Sequence, residues 1–187
     1  ADHSLFIKSQ GKNITAVLVY VDDMVITGNS LSEIQQLKEW PQSKFHMKYL
    51  GKLSYFLGLE IAHTSQGFFI SQKKYINDMI KEFGVHKERS LRVPLDSHIK
   101  LEPQKGVILE NLEVYRRLIG KLIYLTITRP YISYSVQILS QFLQAPTSSH
   151  MQAANRVLRD LKMAPDQRIL LANSSAATLT AYCDTAW

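Results

Sequence analysis

The sequence predicts an α+β fold, because strand patterns fill its first third and helical patterns fill most of the rest. Three apolar, β-branched runs between residues 5 and 27 are separated by turn residues, which predicts an antiparallel meander of three short strands. Residues 55–70 alternate around a turn at 64–67 and predict a second hairpin. From residue 72 onward, apolar side chains recur every three or four positions, as they do on one face of a helix.

The predicted helices have recognisable end signals. Helical spacing over 30–37 predicts a helix that starts at Ser30, and Pro41 should end or kink it because proline has no N–H to donate. An apolar stripe at 75–83 predicts the next helix, with Gly84 as its stop. The remaining predicted elements are a loop at 87–112, helices near 114–125, 131–143 and 147–162, and strands at 168–171 and 179–182.

The composition favours a folded, basic protein inside the cell. Hydrophobic residues make up 45% of the 187 residues and charged residues 20%, which suits a buried core. The 22 Lys and Arg exceed the 16 Asp and Glu by six, and this charge favours a nucleic-acid partner, although a solvated basic surface explains it equally well. The single Cys183 excludes an internal disulfide framework, and no apolar run is long enough to span a membrane. No signal peptide is recognisable, so we expect an internal piece of a protein that is not secreted.

The most informative feature is the pair Asp22 and Asp23, which interrupts two strand-like runs and should therefore occupy a tight turn. Two adjacent carboxylates repel each other unless a divalent cation neutralises them, and Mg²⁺ prefers hard oxygen ligands of this kind. In two-metal sites, such carboxylates hold the ions that stabilise the attacking and leaving oxygens. An Asp-rich turn without a metal is the plainer interpretation, since Asp tolerates turn backbone well. The strand-like runs on both sides favour a site for Mg²⁺ or Mn²⁺.

An ordered series of motifs resembles the reverse transcriptases of copia-type retrotransposons. Residues 19–24, Val-Tyr-Val-Asp-Asp-Met, are similar to the family's motif C. Residues 2–6 are similar to the strand before motif C, and residues 45–51 and 55–60 are similar to motifs D and E. Residues 115–120, 124–126 and 128–130 are similar to the family's C-terminal signature. The series then continues through residues 139–142, His150 and 156–159. One such motif is moderately specific, whereas the ordered series over nearly the whole chain is very specific.

The resemblance implies a role for each region. Residues 1–71 would be part of a polymerase palm, with Asp22 and Asp23 as catalytic metal ligands for nucleotidyl transfer on an RNA or DNA primer–template. Residues 72–165 would be a thumb-like and connecting region, and residues 166–187 would begin an RNase H-like domain with Asp184 as its first metal carboxylate. The segment that would grip the primer end comprises Phe56, Leu57, Gly58, Leu59 and Glu60.

Basic residues in the same regions are candidates for contact with nucleic acid. The resemblance implies phosphate contacts for Lys48, Lys52, Arg116, Arg117, Lys121, Arg156 and Arg159. Phosphate contacts of this kind position a protein without reading sequence. For each residue, a solvated basic face is an equally good interpretation.

Some expected parts of the family pattern are missing or altered. Motif A, with a further metal Asp, motif B and the fingers that hold the deoxynucleotide would lie upstream of residue 1, so the resemblance implies that this chain does not polymerise alone. Tyr49 and Tyr131 each replace an expected Asp, and Asp160 replaces an expected aromatic residue. These departures resemble drift in a decaying element. Two alternatives therefore remain, a non-enzymatic nucleic-acid-binding remnant and a decayed fragment without a function.

Overall fold

A computed structural model describes residues 4–45, 47–95, 101–103 and 105–174, with only the backbone described at 41 and 42. The chain divides into two compact units, with the boundary between Phe56 and Leu57. Helices combine with antiparallel sheets in the described residues, in agreement with the predicted α+β class. Among these residues, no helix is both long and apolar enough to cross a bilayer.

The first unit contains the predicted three-stranded meander. Strands β1 (Leu5–Gln10), β2 (Asn13–Tyr20) and β3 (Asp23–Gly28) pair antiparallel in that order, and two-residue turns connect them. Helix α1 (Leu31–Lys44) follows and packs beside β3. The sequence predicts that Pro41 ends or kinks this helix; the ending is wrong, because α1 continues to Lys44, and the kink stays a prediction. A proline removes one backbone hydrogen bond of a helix, and the other turns keep theirs.

Two hydrogen bonds join α1 to the sheet. The carboxylate of Glu33 accepts hydrogen bonds from Thr15 Oγ1 at 2.5 Å and from Lys8 Nζ at 3.2 Å. The hydrogen bond from Thr15, followed by the contacts with Lys8, lowers the pKa of Glu33. Large apolar side chains nearby stay exposed, among them Ile7 at 65% and Trp40 at 63%. Every buried hydrophobic side chain of the described residues lies instead between Ile76 and Leu161.

The second unit combines a small sheet with a helical core. Its strands are β5 (Leu59–Thr64), β6 (Gly67–Ser71) and β7 (Ile169–Ala172), which pair antiparallel in that order, while the two-residue strand β4 (Tyr55–Phe56) comes just before in sequence. Its helices are α2 (Lys73–Glu82), α3 (Leu112–Leu125), α4 (Ser133–Ser140) and α5 (Ser148–Leu161), with short 3-10 turns at Val85–Lys87 and Pro130–Ile132.

The four helices bury one continuous apolar cluster. The apolar stripe predicted at 75–83 is confirmed, because α2 buries Ile76, Met79 and Ile80. Helix α3 buries Leu118, Leu122 and Leu125, and α5 buries Ala154, Leu158 and Leu161. Gly84 ends α2 with φ at +74°, a left-handed conformation that glycine adopts without strain. The predicted second hairpin and the strand near 168–171 are confirmed, whereas the strand predicted at 179–182 lies outside the described residues.

Candidate active site and nucleic-acid contacts

The two predicted metal ligands lie at the tip of the β2–β3 hairpin. Tyr20 pairs with Asp23 as the last pair of the ladder, which leaves Val21 and Asp22 as a two-residue turn. Val21 has φ at +50° and a side chain that is 81% exposed. A β-branched residue in this left-handed region is strained by about 1–3 kcal/mol, so the pairing of β2 with β3 must hold it there.

Asp22 and Asp23 therefore occupy neighbouring positions on an exposed, tightly held turn. Both side chains are exposed, and each offers hard carboxylate oxygens of the type that Mg²⁺ prefers. Within the described ranges, no group of three or more His, Cys, Asp and Glu side chains could hold a metal ion. The pair fits a hydrated divalent cation that takes only part of its ligands from this hairpin.

The predicted primer-grip segment contains a strained turn. Phe56 ends β4, Leu59 and Glu60 start β5, and Leu57 and Gly58 lie between them with φ at +49° and +84°. The expected continuous strand over 55–61 is therefore interrupted at these two residues. Left-handed backbone is readily accessible to glycine but costs energy at leucine, so a contact elsewhere must support Leu57.

Two tyrosines of the helical core supply that support. The Tyr124 hydroxyl donates a hydrogen bond to the carbonyl of Leu57. The rings of Tyr124 and Tyr75 meet edge to face with centroids 5.5 Å apart, and a Cβ at Gly58 would lie 3.6 and 3.7 Å from their carbons. Burial raises the pKa of Tyr75, so it remains a neutral phenol. Sequence reasoning missed both residues, although Tyr124 belongs to the segment 124–126 that matched the family.

Glu60 stabilises the start of helix α2. Its Oε1 accepts a hydrogen bond from the backbone N–H of Lys74 at 2.7 Å, and its Oε2 accepts one from Ser71 Oγ at 3.4 Å. Gln72, at the N-cap of α2, makes no capping bond with its own side chain. The Glu60 carboxylate thus caps the first turn of α2, where the free N–H groups favour a negative charge.

The three basic residues of α3 are all engaged within the second unit. Arg116 donates from Nε to the carbonyl of Leu143 at 2.9 Å. Arg117 and Lys121 both pair with Glu82, at 3.0 and 2.5 Å. These pairs are partly exposed, so they contribute little stability.

The basic residues of α5 are engaged as well. Arg156 donates from Nε to the carbonyl of Val93 at 3.1 Å. Arg159 donates from Nε to the carbonyl of Arg89 at 2.7 Å and pairs with Glu88 at 3.4 Å. Lys48 and Lys52, by contrast, are exposed between α1 and β4, and Asp184 lies outside the described residues.

Comparison with known proteins agrees with the family that the motif series predicts. A family model described as reverse transcriptase (RNA-dependent DNA polymerase) matches residues 1–97. The Pol polyproteins from transposons RE1 and RE2 of Arabidopsis thaliana are 37% and 36% identical over 187 residues, which is 100% of this chain and 13% of each relative. An uncharacterized mitochondrial protein of Arabidopsis thaliana is 33% identical over 171 residues, 91% of this chain and 71% of that protein. No solved structure matches the chain.

The chain belongs to the reverse transcriptase family, in the form found in the Pol polyproteins of copia-type retrotransposons. The resemblance drawn from the motif series is thereby confirmed. The chain spans 13% of the length of the first two relatives.

Proposed function

We propose that this chain supplies the metal-binding corner and part of the primer–template contacts of an intracellular RNA-directed DNA polymerase. The observation on which the proposal rests is the hairpin tip with Asp22 and Asp23, in a chain of this family. In the same proposal, residues 56–60 grip the primer end, and the helices from α2 onward form a thumb-like region.

The hairpin gives the two carboxylates a fixed position. Pairing of Tyr20 with Asp23 closes the turn, and the left-handed Val21 keeps it tight. Asp22 and Asp23 would hold Mg²⁺ or Mn²⁺, which when bound offsets the charge that develops on the attacking and leaving oxygens during nucleotidyl transfer. The protein's own contribution is preorganisation, because the two carboxylates stay together whether or not substrate is present.

We further propose that the 187 residues do not polymerise by themselves. The described residues offer two carboxylates at this corner, and a two-metal site needs more ligands than these. Exposed apolar side chains such as Phe6, Ile7 and Trp40 indicate a first unit that would gain stability from more polypeptide over its surface. In the intact enzyme, that further polypeptide would also hold the deoxynucleotide in line for attack.

Primer extension tests this proposal. The chain is incubated with an RNA template, a labelled DNA primer and deoxynucleotides, in Mg²⁺ and separately in Mn²⁺. Retention of the primer–template at low salt without extension is the expected result, since binding needs charge while transfer needs the complete site. A ladder of extended primer that is lost in Asp22→Asn would overturn the proposed inactivity. No retention at any salt would overturn the proposed nucleic-acid binding and favour a decayed fragment.

A further inference from the structure

The segment 85–93 follows α2 and lies along α5, where three cationic side chains hydrogen-bond to its backbone carbonyls. Arg156 and Arg159 of α5 and Lys162, the C-cap residue that follows it, are spaced three residues apart, which places them on one side of the helix. Arg156 binds the carbonyl of Val93 and Arg159 that of Arg89, while Lys162 Nζ binds the carbonyls at 86 and 88 at 2.6 and 2.8 Å. The backbone N–H of Leu91 returns a hydrogen bond to the carbonyl of Arg159 at 3.1 Å. We call these three cations the α5 clamp.

The clamp includes Arg156 and Arg159, for which the sequence left phosphate contact and a solvated face equally open, and the clamped segment itself carries further cations. Lys87, Arg89 and Arg92 of the clamped segment have exposed side chains. Throughout the described ranges, none of these three side chains makes a hydrogen bond or an ion pair. Their charges are therefore available to a partner, whereas Nε of Arg156 and Arg159 is already used.

This part of the surface is strongly positive. Segments 85–93 and 155–162 together contain six Lys and Arg side chains. The acidic residues of the two segments are Glu88 and Asp160. Glu88 pairs with Arg159 at 3.4 Å, and Asp160 is buried, with only 7% of its surface exposed. Burial raises the pKa of Asp160. Among the residues that the structure describes, the positive charge of the segment is thus left largely uncompensated.

We infer that Lys87, Arg89 and Arg92 form a binding surface for the phosphate backbone of nucleic acid, held in place by the α5 clamp. The partner is nucleic acid because the chain belongs to a reverse transcriptase family, and in this respect the inference rests on the proposed function. The clamp extends over six residues of helix, which is about 9 Å at 1.5 Å per residue. Phosphates of one strand recur about every 3.4 Å along a duplex, so three cations over this distance can face about three of them.

The test compares variants of the full chain by their salt-dependent affinity for a labelled RNA–DNA duplex. The first variant combines Lys87→Gln, Arg89→Gln and Arg92→Gln. A matched control removes the same charge from exposed positions elsewhere, through Lys12→Gln, Lys44→Gln and Arg168→Gln. A charge-retaining variant combines Lys87→Arg, Arg89→Lys and Arg92→Lys. Thermal melting of each variant verifies that it folds.

Affinity falls as salt rises, and the plot of log affinity against log salt should be less steep by about 2.7 in the first variant, because about three phosphate contacts are lost. We expect the control and the charge-retaining variant to stay near the parent slope. If the first variant and the control lose equal affinity, the surface assignment is overturned, while nucleic-acid binding by the chain still stands. If the parent chain binds no duplex, both the surface assignment and the binding part of the proposed function are overturned.

Discussion

The side chain of Tyr131, in the turn that precedes α4, faces the carboxylate of Asp160 on α5, and after burial this carboxylate is the main cause of the raised pKa of Tyr131. The motif series predicts an Asp where Tyr131 stands and an aromatic residue where Asp160 stands, so both residues depart from the predicted pattern. Because the two side chains face each other, we expect the two departures to be coupled, as an exchange that keeps a carboxylate opposite an aromatic ring.

Reversing the exchange tests whether the two changes are coupled. Tyr131→Asp alone places two carboxylates together, and Asp160→Tyr alone crowds two rings, so each should lower the free energy of unfolding. The double variant should recover much of that loss, with a coupling energy of about 1–3 kcal/mol. Chemical denaturation of the four proteins measures it. Additive losses in the double variant would show that the pair was not retained as a unit.

His150 should make the folded state sensitive to mild acid. It is fully buried in the α5 capping box, where its Nδ1 accepts the N–H of Thr147 at 2.9 Å and its ring stacks on Phe142 at 3.9 Å. Burial lowers the pKa of His150, so the unfolded chain binds a proton more readily than the folded chain. The stability contributed by neutral His150 is complete above the unfolded pKa, near 6.5, and is lost as pH falls from there towards the lower folded pKa.

Thermal melts from pH 7.5 to 5 check this expectation. His150→Gln keeps an acceptor for the Thr147 N–H but cannot titrate, so its melting point should fall less steeply with acid. The exposed His86 offers a control, and His86→Gln should follow the parent chain. Parallel pH profiles for the parent and His150→Gln would contradict the assignment.

Pro41 should limit the stability of the first unit. Helix α1 continues through this position to Lys44, and a proline inside a helix costs about 3 kcal/mol compared with an ordinary residue. Pro41→Leu should therefore raise the melting temperature. Pro94→Leu serves as the control, because Pro94 lies outside any helix. A melting temperature that does not rise with Pro41→Leu would indicate that α1 ends before this residue in solution.

The support of the Leu57 turn by Tyr124 gives a further prediction. Tyr124→Phe removes the hydrogen bond to the Leu57 carbonyl and keeps the ring against Gly58, so unfolding should become easier by about 0.5–1.5 kcal/mol. Tyr134→Phe alters a tyrosine that is 63% exposed and should change nothing measurable. Urea denaturation compares the two variants. Equal stabilities would show that the Leu57 turn does not depend on this hydroxyl.

Features set by neighbouring residues could be predicted from the sequence, and features set by distant residues could not. The hairpin tip at Asp22 and Asp23 and the stop of α2 at Gly84 each follow from a few adjacent side chains. The clamp of Arg159 on the carbonyl of Arg89 joins residues 70 positions apart, and no local pattern indicates it. For the same reason, the sequence left the α5 arginines divided between phosphate contact and a solvated face, whereas their Nε groups bind backbone carbonyls.

The central claim is that Asp22 and Asp23 form the metal-binding corner of a polymerase. Its most direct test is titration with Mn²⁺ while the relaxation of the amide protons at 20–24 is followed. We predict weak binding, because two carboxylates leave most ligand positions to water. The selective broadening at the hairpin tip should disappear in Asp22→Asn plus Asp23→Asn and persist in the charge-matched control Glu110→Gln plus Asp166→Asn. Broadening at the tip that survives loss of both aspartates, or none at any Mn²⁺ concentration, would contradict the claim.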